Sequence, residues 1–276
     1  EVLIAAAPVV RAAELERAPN LRAVIEVSGS FPDSIDYQAC FDRGIHLLSC
    51  APGFRESVAE MAVAMTLAGG RGLVEQHEAF RQGHEAWLDD REAVDFTAFG
   101  LKLGFVGFGQ IARETCRLLA PFRPEVLVFD PWLPPEVAAA HGVILADLDE
   151  VLRHSRCLHI AAAPTSENRG LIGAEQLALL PDHALVVLIS RAHLVQFDAL
   201  LEAVRSERIR AAIDVFPTEP VAPDDPLRKM PGLILSPHRA AAVEGGRQMI
   251  GRLICADLER IFAQTPPTDL SSANPS

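Results

Sequence analysis

Short apolar runs rich in Val, Ile, Leu and Phe alternate along the chain with longer stretches whose apolar residues return at helical spacing. Strands covered on both faces read as continuous apolar runs, so this alternation predicts a parallel sheet joined by crossover helices. Strands are expected over residues 2–4, 23–27, 46–48, 103–106, 126–129, 157–161, 184–189, 209–213 and 233–235, and helices over 58–67, 111–119, 148–153, 174–179, 197–206 and 243–262. The class is α/β. A polar stretch over 75–95 without strong periodicity separates the early βα units from the fresh strand at Leu103, which places a domain junction there. A second junction near Ala240 follows because the helix over 243–262 comes after the last strand, with no further strand to pair. The expected domains are 1–74 with 241–276, and 75–240 inserted between them. The last dozen residues, with several Pro, Ser and Thr, are expected to fray.

Composition narrows the function classes. With 25 Lys+Arg against 37 Asp+Glu the formal charge is −12, which repels a phosphate backbone, and no basic run offers a local exception. Nucleic acid is therefore not expected as a partner. No apolar stretch approaches the roughly 18 residues of a spanning helix, so no membrane association is expected either. Five scattered cysteines without a C-x-x-C pair suit a reducing compartment, and all five are expected to be buried. The expected location is cytoplasmic.

The first chemistry-bearing motif is Gly104-Phe105-Val106-Gly107-Phe108-Gly109-Gln110-Ile111-Ala112, an apolar strand running through G-x-G-x-x-A into a helix. Gly107 permits a tight turn, Gly109 lets the backbone approach a pyrophosphate, and Ala112 lets helix and strand pack closely. The helix start at Gln110 and Ile111 then offers unpaired N–H groups to the anion. About 20 residues past the glycines the next strand ends in Asp130, whose carboxylate suits the adenosine ribose hydroxyls. An acid there repels a 2′-phosphate and no Arg follows, so the cofactor expected is NAD rather than NADP. The competing reading makes Asp130 a cap for the turn at Pro131.

Further along, three segments each place a polar side chain at the end of an apolar strand: Arg191, then Asp214 and Glu219, then His238. Taken singly, each has a plain alternative as a surface or turn residue. Together they supply what hydride transfer to a keto acid needs. Arg191 would pair with the substrate carboxylate, and His238 would give a proton to the oxygen that becomes hydroxyl. Glu219 would orient the imidazole and stabilise its protonated form, and Asp214 would bind the nicotinamide carboxamide. His154, Cys157 and His159 lie close in sequence but fit a helix end running into a strand, so no metal is expected. His77, His84 and Trp87 are read as surface or dimer-arm residues.

In order and separation, residues 105–112, Asp130-Pro131, 164–173, Ser190-Arg191, 214–220 and Ser236-Pro237-His238 resemble the D-isomer-specific 2-hydroxyacid dehydrogenase family. The resemblance implies a Rossmann nucleotide-binding domain inserted in a flavodoxin-like substrate domain, and a homodimer made through the Rossmann domains. It implies Arg191, Glu219 and His238 as the catalytic set acting on a small 2-keto or 2-hydroxy acid. Asp214 would lie near the nicotinamide, and the backbone at Ala162, Ala163, Pro164, Ile189 and Ser190 would line the cofactor. The opening βα units that family members carry before the point matching Glu1 are absent, so the substrate domain is expected to be N-terminally truncated.

The family's loop for the substrate carboxylate reads G-x-G-x-D-x-x-D. Here Gly29, Ser30 and Phe31 begin the matching segment, which continues to Asp36, and Phe31 replaces the second glycine. That replacement would shrink the site, favour an apolar substrate, or impair catalysis. Ala5, Ala6 and Ala7 stand where phosphoglycerate enzymes place an arginine, which argues against a phosphorylated substrate. The rival expectation is an NAD(H)-sensing binding protein of the same fold, similar to corepressors, and Phe31 keeps it open.

Overall fold

The computed structural model describes residues 1–87, 94–165 and 167–273. Ser166 of the family-like motif, residues 88–93 of the polar stretch and the last three residues of the expected tail lie outside the described residues. The chain divides into two compact units, Glu1–Ser57 with Ala241–Ser276, and Val58–Ala240.

In the smaller unit, numbered in chain order, β1 (Val2–Ala5), β2 (Ala23–Glu26) and β3 (His46–Ser49) form a parallel sheet, linked by α1 (Ala12–Arg17) and α2 (Tyr37–Asp42). Asp36 caps α2 by accepting from the Ala39 N–H at 3.1 Å. Successive residues of a strand point to opposite faces, and both faces of β2 are covered. Val24 packs with Val10, Leu15 and Leu47, while Ala23 and Ile25 pack with Leu48, Ile261 and Leu270. Ile261 lies on α10 (Gly246–Phe262), the helix that the pattern predicted after the last strand.

The C-terminal segment does not fray as expected. β11 (Ser271–Ser272) pairs antiparallel with β3, and Leu270 is buried. The cause is Asp257 on α10, fully buried, whose carboxylate accepts the N–H groups of Thr268 (2.8 Å), Asp269 (3.1 Å) and Leu270 (2.8 Å). So a strand does follow α10, against the expectation, and one internal carboxylate ties it down. Cys255, on the same helix, is exposed rather than buried; the other four cysteines are buried.

The first division falls between Ser57 and Val58, inside α3 (Arg55–Gly70), ahead of the junction drawn at 74/75 from polarity. The rest of α3 belongs with the larger unit because its inner face is packed there. Thr66 Oγ1 lies 2.9 Å from the His159 ring, and a Cβ on Gly69 would run into the Leu185 side chain at 2.7 Å. The polar stretch itself begins as a helix, α4 (Leu73–Gln82), with left-handed glycines at both ends, Gly72 and Gly83. None of its residues is buried, which is why no periodicity marks it.

The larger unit holds β4 (Lys102–Val106), α5 (Gln110–Leu119), β5 (Glu125–Phe129), α6 (Pro135–Ala140), β6 (Ile144–Leu145), α7 (Leu148–His154), β7 (Cys157–Ile160), α8 (Ala174–Leu179), β8 (Ala184–Leu188), α9 (Phe197–Arg205), β9 (Ile209–Ile213) and β10 (Leu233–Leu235). Its seven strands are ordered β10-β9-β8-β7-β4-β5-β6, and every pairing is parallel. β7, β8 and β9 are buried throughout, as their mainly apolar sequences require, with His159 in β7 and Arg210 in β9 buried among them. On α5, Ala112, Thr115, Cys116 and Leu119 are buried at the spacing of one helical face. The chain leaves β4 toward β5 and β6 on one side and returns through β7 to β10 on the other. This is the doubly wound Rossmann arrangement, whose switch point lies at the carboxyl ends of β4 and β7, where such sheets bind ligands.

Candidate active site

The turn after β4 is built on close approach. Gly107 sits at φ +85°, and a Cβ there would come within 2.3 Å of the Ala162 Cα, so only glycine lets this turn cross the segment leaving β7. Gly104 makes a second such contact that the sequence reading missed: its Cβ would fall 1.8 Å from Ser155 Oγ, at the end of α7. Gly109 is different, since a Cβ there would meet nothing within 4 Å, and the backbone faces open space. It precedes α5 without a side-chain cap, and a helix start of this kind presents backbone N–H groups to an anion. Ala112 is buried, as the close helix–strand packing needs.

Asp130, at the end of β5, is half-buried. Its Oδ2 accepts from the Phe108 N–H in the glycine turn at 2.8 Å, and its Oδ1 accepts from the Trp132 N–H at 3.1 Å. The carboxylate thus caps its own turn beyond Pro131 and also braces the glycine turn. Across the switch point, Ala162 is half-buried and Ala163 and Pro164 are exposed. Asn168 fixes this segment, donating to the Ala163 carbonyl at 2.8 Å and accepting from the Thr165 N–H at 2.8 Å. Small side chains facing a turn with open space over Gly109 fit a dinucleotide.

The residues read from sequence as an acid–base set follow β8, β9 and β10. After β8 and buried Ile189, the Ser190 hydroxyl donates to the Ile160 carbonyl at 2.9 Å, tying β8 to β7. Arg191 follows in extended backbone, half-buried, donating to the Ser190 carbonyl at 2.8 Å. The His238 ring Nδ1 lies 2.6 Å from Glu219 Oε2, and Glu219 Oε1 accepts from the Phe216 N–H at 2.8 Å. Burial pushes the Glu219 carboxyl up. The hydrogen bonds from His238 and Phe216 and the charges of His238 and Arg191 outweigh it and hold the group below its ordinary value. Engagement of Nδ1 leaves Nε2 as the ring nitrogen facing outward.

His238 sits in left-handed backbone at φ +51°, a conformation that costs a non-glycine residue on the order of 1 kcal/mol. Asp214, 1% exposed, holds it there. The Asp214 carbonyl accepts the His238 N–H at 2.8 Å. One oxygen of the Asp214 carboxylate accepts the Ser236 hydroxyl (2.5 Å) and the Arg239 N–H (2.9 Å), and the other accepts the Ala240 N–H (3.2 Å). The carboxylate assigned from sequence to the nicotinamide carboxamide is engaged in shaping the histidine's loop.

Gly29, Ser30 and Phe31 lie in the smaller unit, in the turn after β2, with Gly29 at φ +82° and Phe31 41% exposed. Sequence reasoning missed Glu26, which is buried behind this turn. Its Oε1 accepts the Ser28 N–H (2.9 Å), the Ser28 hydroxyl and the Ala7 N–H (3.4 Å), and its Oε2 accepts the Ser30 N–H (2.8 Å). Burial raises its carboxyl, but these bonds outweigh it and hold the group below its ordinary value. A glutamate ending an apolar strand, followed by Val27 and then Ser28-Gly29-Ser30, was the available signal.

Among the described residues no group of three or more His, Cys, Asp or Glu side chains is arranged to hold a metal ion. His159 is buried against the Phe105 ring, with centroids 5.0 Å apart, and the Thr66 hydroxyl. His77, His84 and Trp87 are exposed. No helix among the described residues is long and apolar enough to cross a membrane.

Residues 63–240 match the family model described as D-isomer specific 2-hydroxyacid dehydrogenase, NAD binding domain, and the chain belongs to the D-isomer specific 2-hydroxyacid dehydrogenase family. It is 30% identical over 250 residues to the D-3-phosphoglycerate dehydrogenase of Methanocaldococcus jannaschii, covering 90% of this chain and 47% of that protein. Against the glyoxylate reductase of Korarchaeum cryptofilum it is 30% identical over 246 residues, covering 88% of this chain and 74% of that protein. A solved phosphoglycerate oxidoreductase from Rhizobium etli is 36% identical, with a TM-score of 0.85, and the match covers all of this chain and 84% of that one. The chain spans about half the length of the phosphoglycerate dehydrogenases it matches.

Proposed function

We propose that the protein is an NAD-dependent dehydrogenase interconverting a small 2-keto acid and its D-2-hydroxy acid. The observation that carries this is the 2.6 Å contact between His238 and Glu219, with the Arg191 charge acting on the same carboxylate. The backbone of Gly107, Gly109, Gln110 and Ile111 would hold the pyrophosphate, Asp130 and Pro131 would border the adenosine ribose, and Ala162, Ala163, Pro164, Ile189 and Ser190 would line the rest of the cofactor. NAD supplies or accepts a hydride when bound. The Asp130 carboxylate, braced in place, disfavours a 2′-phosphate and so NADP.

Arg191 pairs with the substrate carboxylate and draws electron density from the carbonyl. His238, oriented by Glu219, gives a proton through Nε2 to the carbonyl oxygen as the carbon is reduced, and takes it back in the reverse direction. Asp214 contributes by fixing the His238 turn. Gly29, Ser30 and Phe31 are the candidate substrate loop within the smaller unit. A complete Arg191, Glu219 and His238 set disfavours the sensing alternative, which has no use for an oriented acid.

A homodimer fits the apolar residues that α4 leaves exposed, Leu73, Val74 and Phe80, together with exposed Trp87. Five free thiols fit a cytoplasmic setting. The test follows NADH absorbance with a panel of 2-keto acids, glyoxylate and hydroxypyruvate among them, and checks the product's configuration. A D-2-hydroxy acid formed with NADH in preference to NADPH is the expected result. NADH binding without turnover on any keto acid would overturn the reading.

A further inference from the structure

All seven strands of the larger unit run parallel, so their amino ends lie at the edge of the sheet opposite the glycine turn. Arg210, the second residue of β9, stands at that edge and is 9% exposed. Its Nη1 donates to Asp95 Oδ1 at 3.0 Å, while Nε and Nη2, both buried, have no acceptor among the described residues. Buried donors are nearly always satisfied, so two on one guanidinium point to an occupant. Arg156 shares the Phe96 ring with Arg210, at 5.0 and 6.0 Å from its centroid. Burial first, and then the Arg210 charge, hold the Arg156 guanidinium below its ordinary value, with Asp95 acting the other way.

Arg210 lines a cavity of about 10 Å³ together with Gly72, Val74, Glu75, Leu185 and Gly232. Gly72, Val74 and Glu75 open α4, ten residues long, and Gly72 supplies no side-chain cap. The helix ladder starts with the Gln76 N–H donating to the Gly72 carbonyl at 2.9 Å, so the Val74 and Glu75 N–H groups have no acceptor within the helix. Partial positive charge from a helix start and full charge from Arg210 thus border one small space. That volume takes a single water-sized body, so a monatomic anion fits and a phosphate does not.

We propose that this cavity is a binding site for a halide-sized monovalent anion, held by Arg210 Nε and Nη2 and by the opening N–H groups of α4. The anion completes the hydrogen bonds of the guanidinium and pins the start of α4 to β9. Exposed Glu75, a carboxylate at the same cavity, weakens the site by its charge without filling it.

Chloride binding to the full chain is followed by chloride NMR line broadening for wild type, Arg210→Gln and Glu75→Gln, with bromide and sulfate as displacing ions. Crystals grown in bromide locate the ion by anomalous scattering. Wild type is expected to show broadening that bromide removes and sulfate does not, and a bromide peak beside Arg210 Nε and Nη2. Arg210→Gln should weaken this binding at least about tenfold, and Glu75→Gln should strengthen it about two- to threefold by removing a like charge. Melting curves show whether Arg210→Gln is folded; if it is not, Glu75→Gln and the bromide position decide. Absence of bromide beside Arg210 overturns the proposal and leaves water as the occupant. Broadening unchanged in folded Arg210→Gln overturns it too, as does an anion bound only in Glu75→Gln, which would make the Glu75 carboxylate the occupant.

Discussion

Replacing Asp214 with Asn separates two roles for one buried carboxylate. Asp214 accepts three hydrogen bonds from Ser236, Arg239 and Ala240, and its surroundings are closed to water at 1% exposure. Asparagine keeps one accepting oxygen and turns an NH2 toward a backbone N–H, which is left buried and unsatisfied. Such a group costs about 1–3 kcal/mol, and losing the charge weakens the surviving bonds. A total near 2 kcal/mol corresponds to a melting temperature lower by about 4–8 °C for a unit of this size. The released turn also lets His238 leave its left-handed backbone at φ +51°. Displacing a reacting group by about 1 Å costs on the order of a hundredfold, so kcat/KM for keto-acid reduction should fall by about that factor. The NADH dissociation constant, read by fluorescence titration, should stay within about twofold, because the carboxylate acts on the histidine turn. Unchanged melting with NADH affinity weakened tenfold or more would refute this reasoning and restore the carboxamide role.

Two further predictions concern groups outside the reacting centre. Asp257→Asn should release the C-terminal strand at a cost of about 2–4 kcal/mol, seen as faster hydrogen exchange at the Leu270 amide. Burial raises the Asp257 carboxyl, but its bonds to Thr268, Leu270, Asp269 and Arg260 outweigh this and keep it below the ordinary 3.8. Its contribution is therefore present above that value and lost as pH falls through the lower folded one, so the wild-type advantage over Asp257→Asn should shrink in acid. Burial pushes His159 down from 6.5 to about 3. Unfolding thus takes up a proton between those values, and stability drops by about 1.4 kcal/mol per pH unit as the solution is acidified through that window. Urea melts of wild type and His159→Gln at pH 7 and 5 should show their difference moving by about 2 kcal/mol in favour of the variant; an unchanged difference would show that His159 is not buried neutral.

What the sequence made legible was carried by local necessity. Gly107 is required because a Cβ on it would come within 2.3 Å of the Ala162 backbone. The central strands of the larger unit are covered on both faces and so appear as mainly apolar runs, unbroken in β8. Arg191, Glu219 and His238 could be grouped because parallel strands deliver their carboxyl ends to one side of the sheet. What stayed hidden lacked a pattern of its own. α4 buries none of its residues, so it has no stripe to read, although Gly72 and Gly83 mark its ends. β11 is two residues long and depends on Asp257, whose part is visible only once α10 and the last segment lie side by side. Asp214 reads in sequence as a polar side chain free for a ligand, and Glu26 draws no reading at all. In the fold they are spent on neighbouring N–H groups, a use that depends on turn geometry and leaves no spacing rule behind.

The central claim is that His238, oriented by Glu219, moves the proton in keto-acid reduction. Its most direct test is His238→Ala, assayed for NADH-dependent reduction of the best keto acid and, separately, for NADH affinity. The account predicts that kcat/KM falls by about 10²- to 10⁴-fold while NADH binds within about twofold of wild type. Activity retained within about threefold would contradict it and remove His238 from the chemistry.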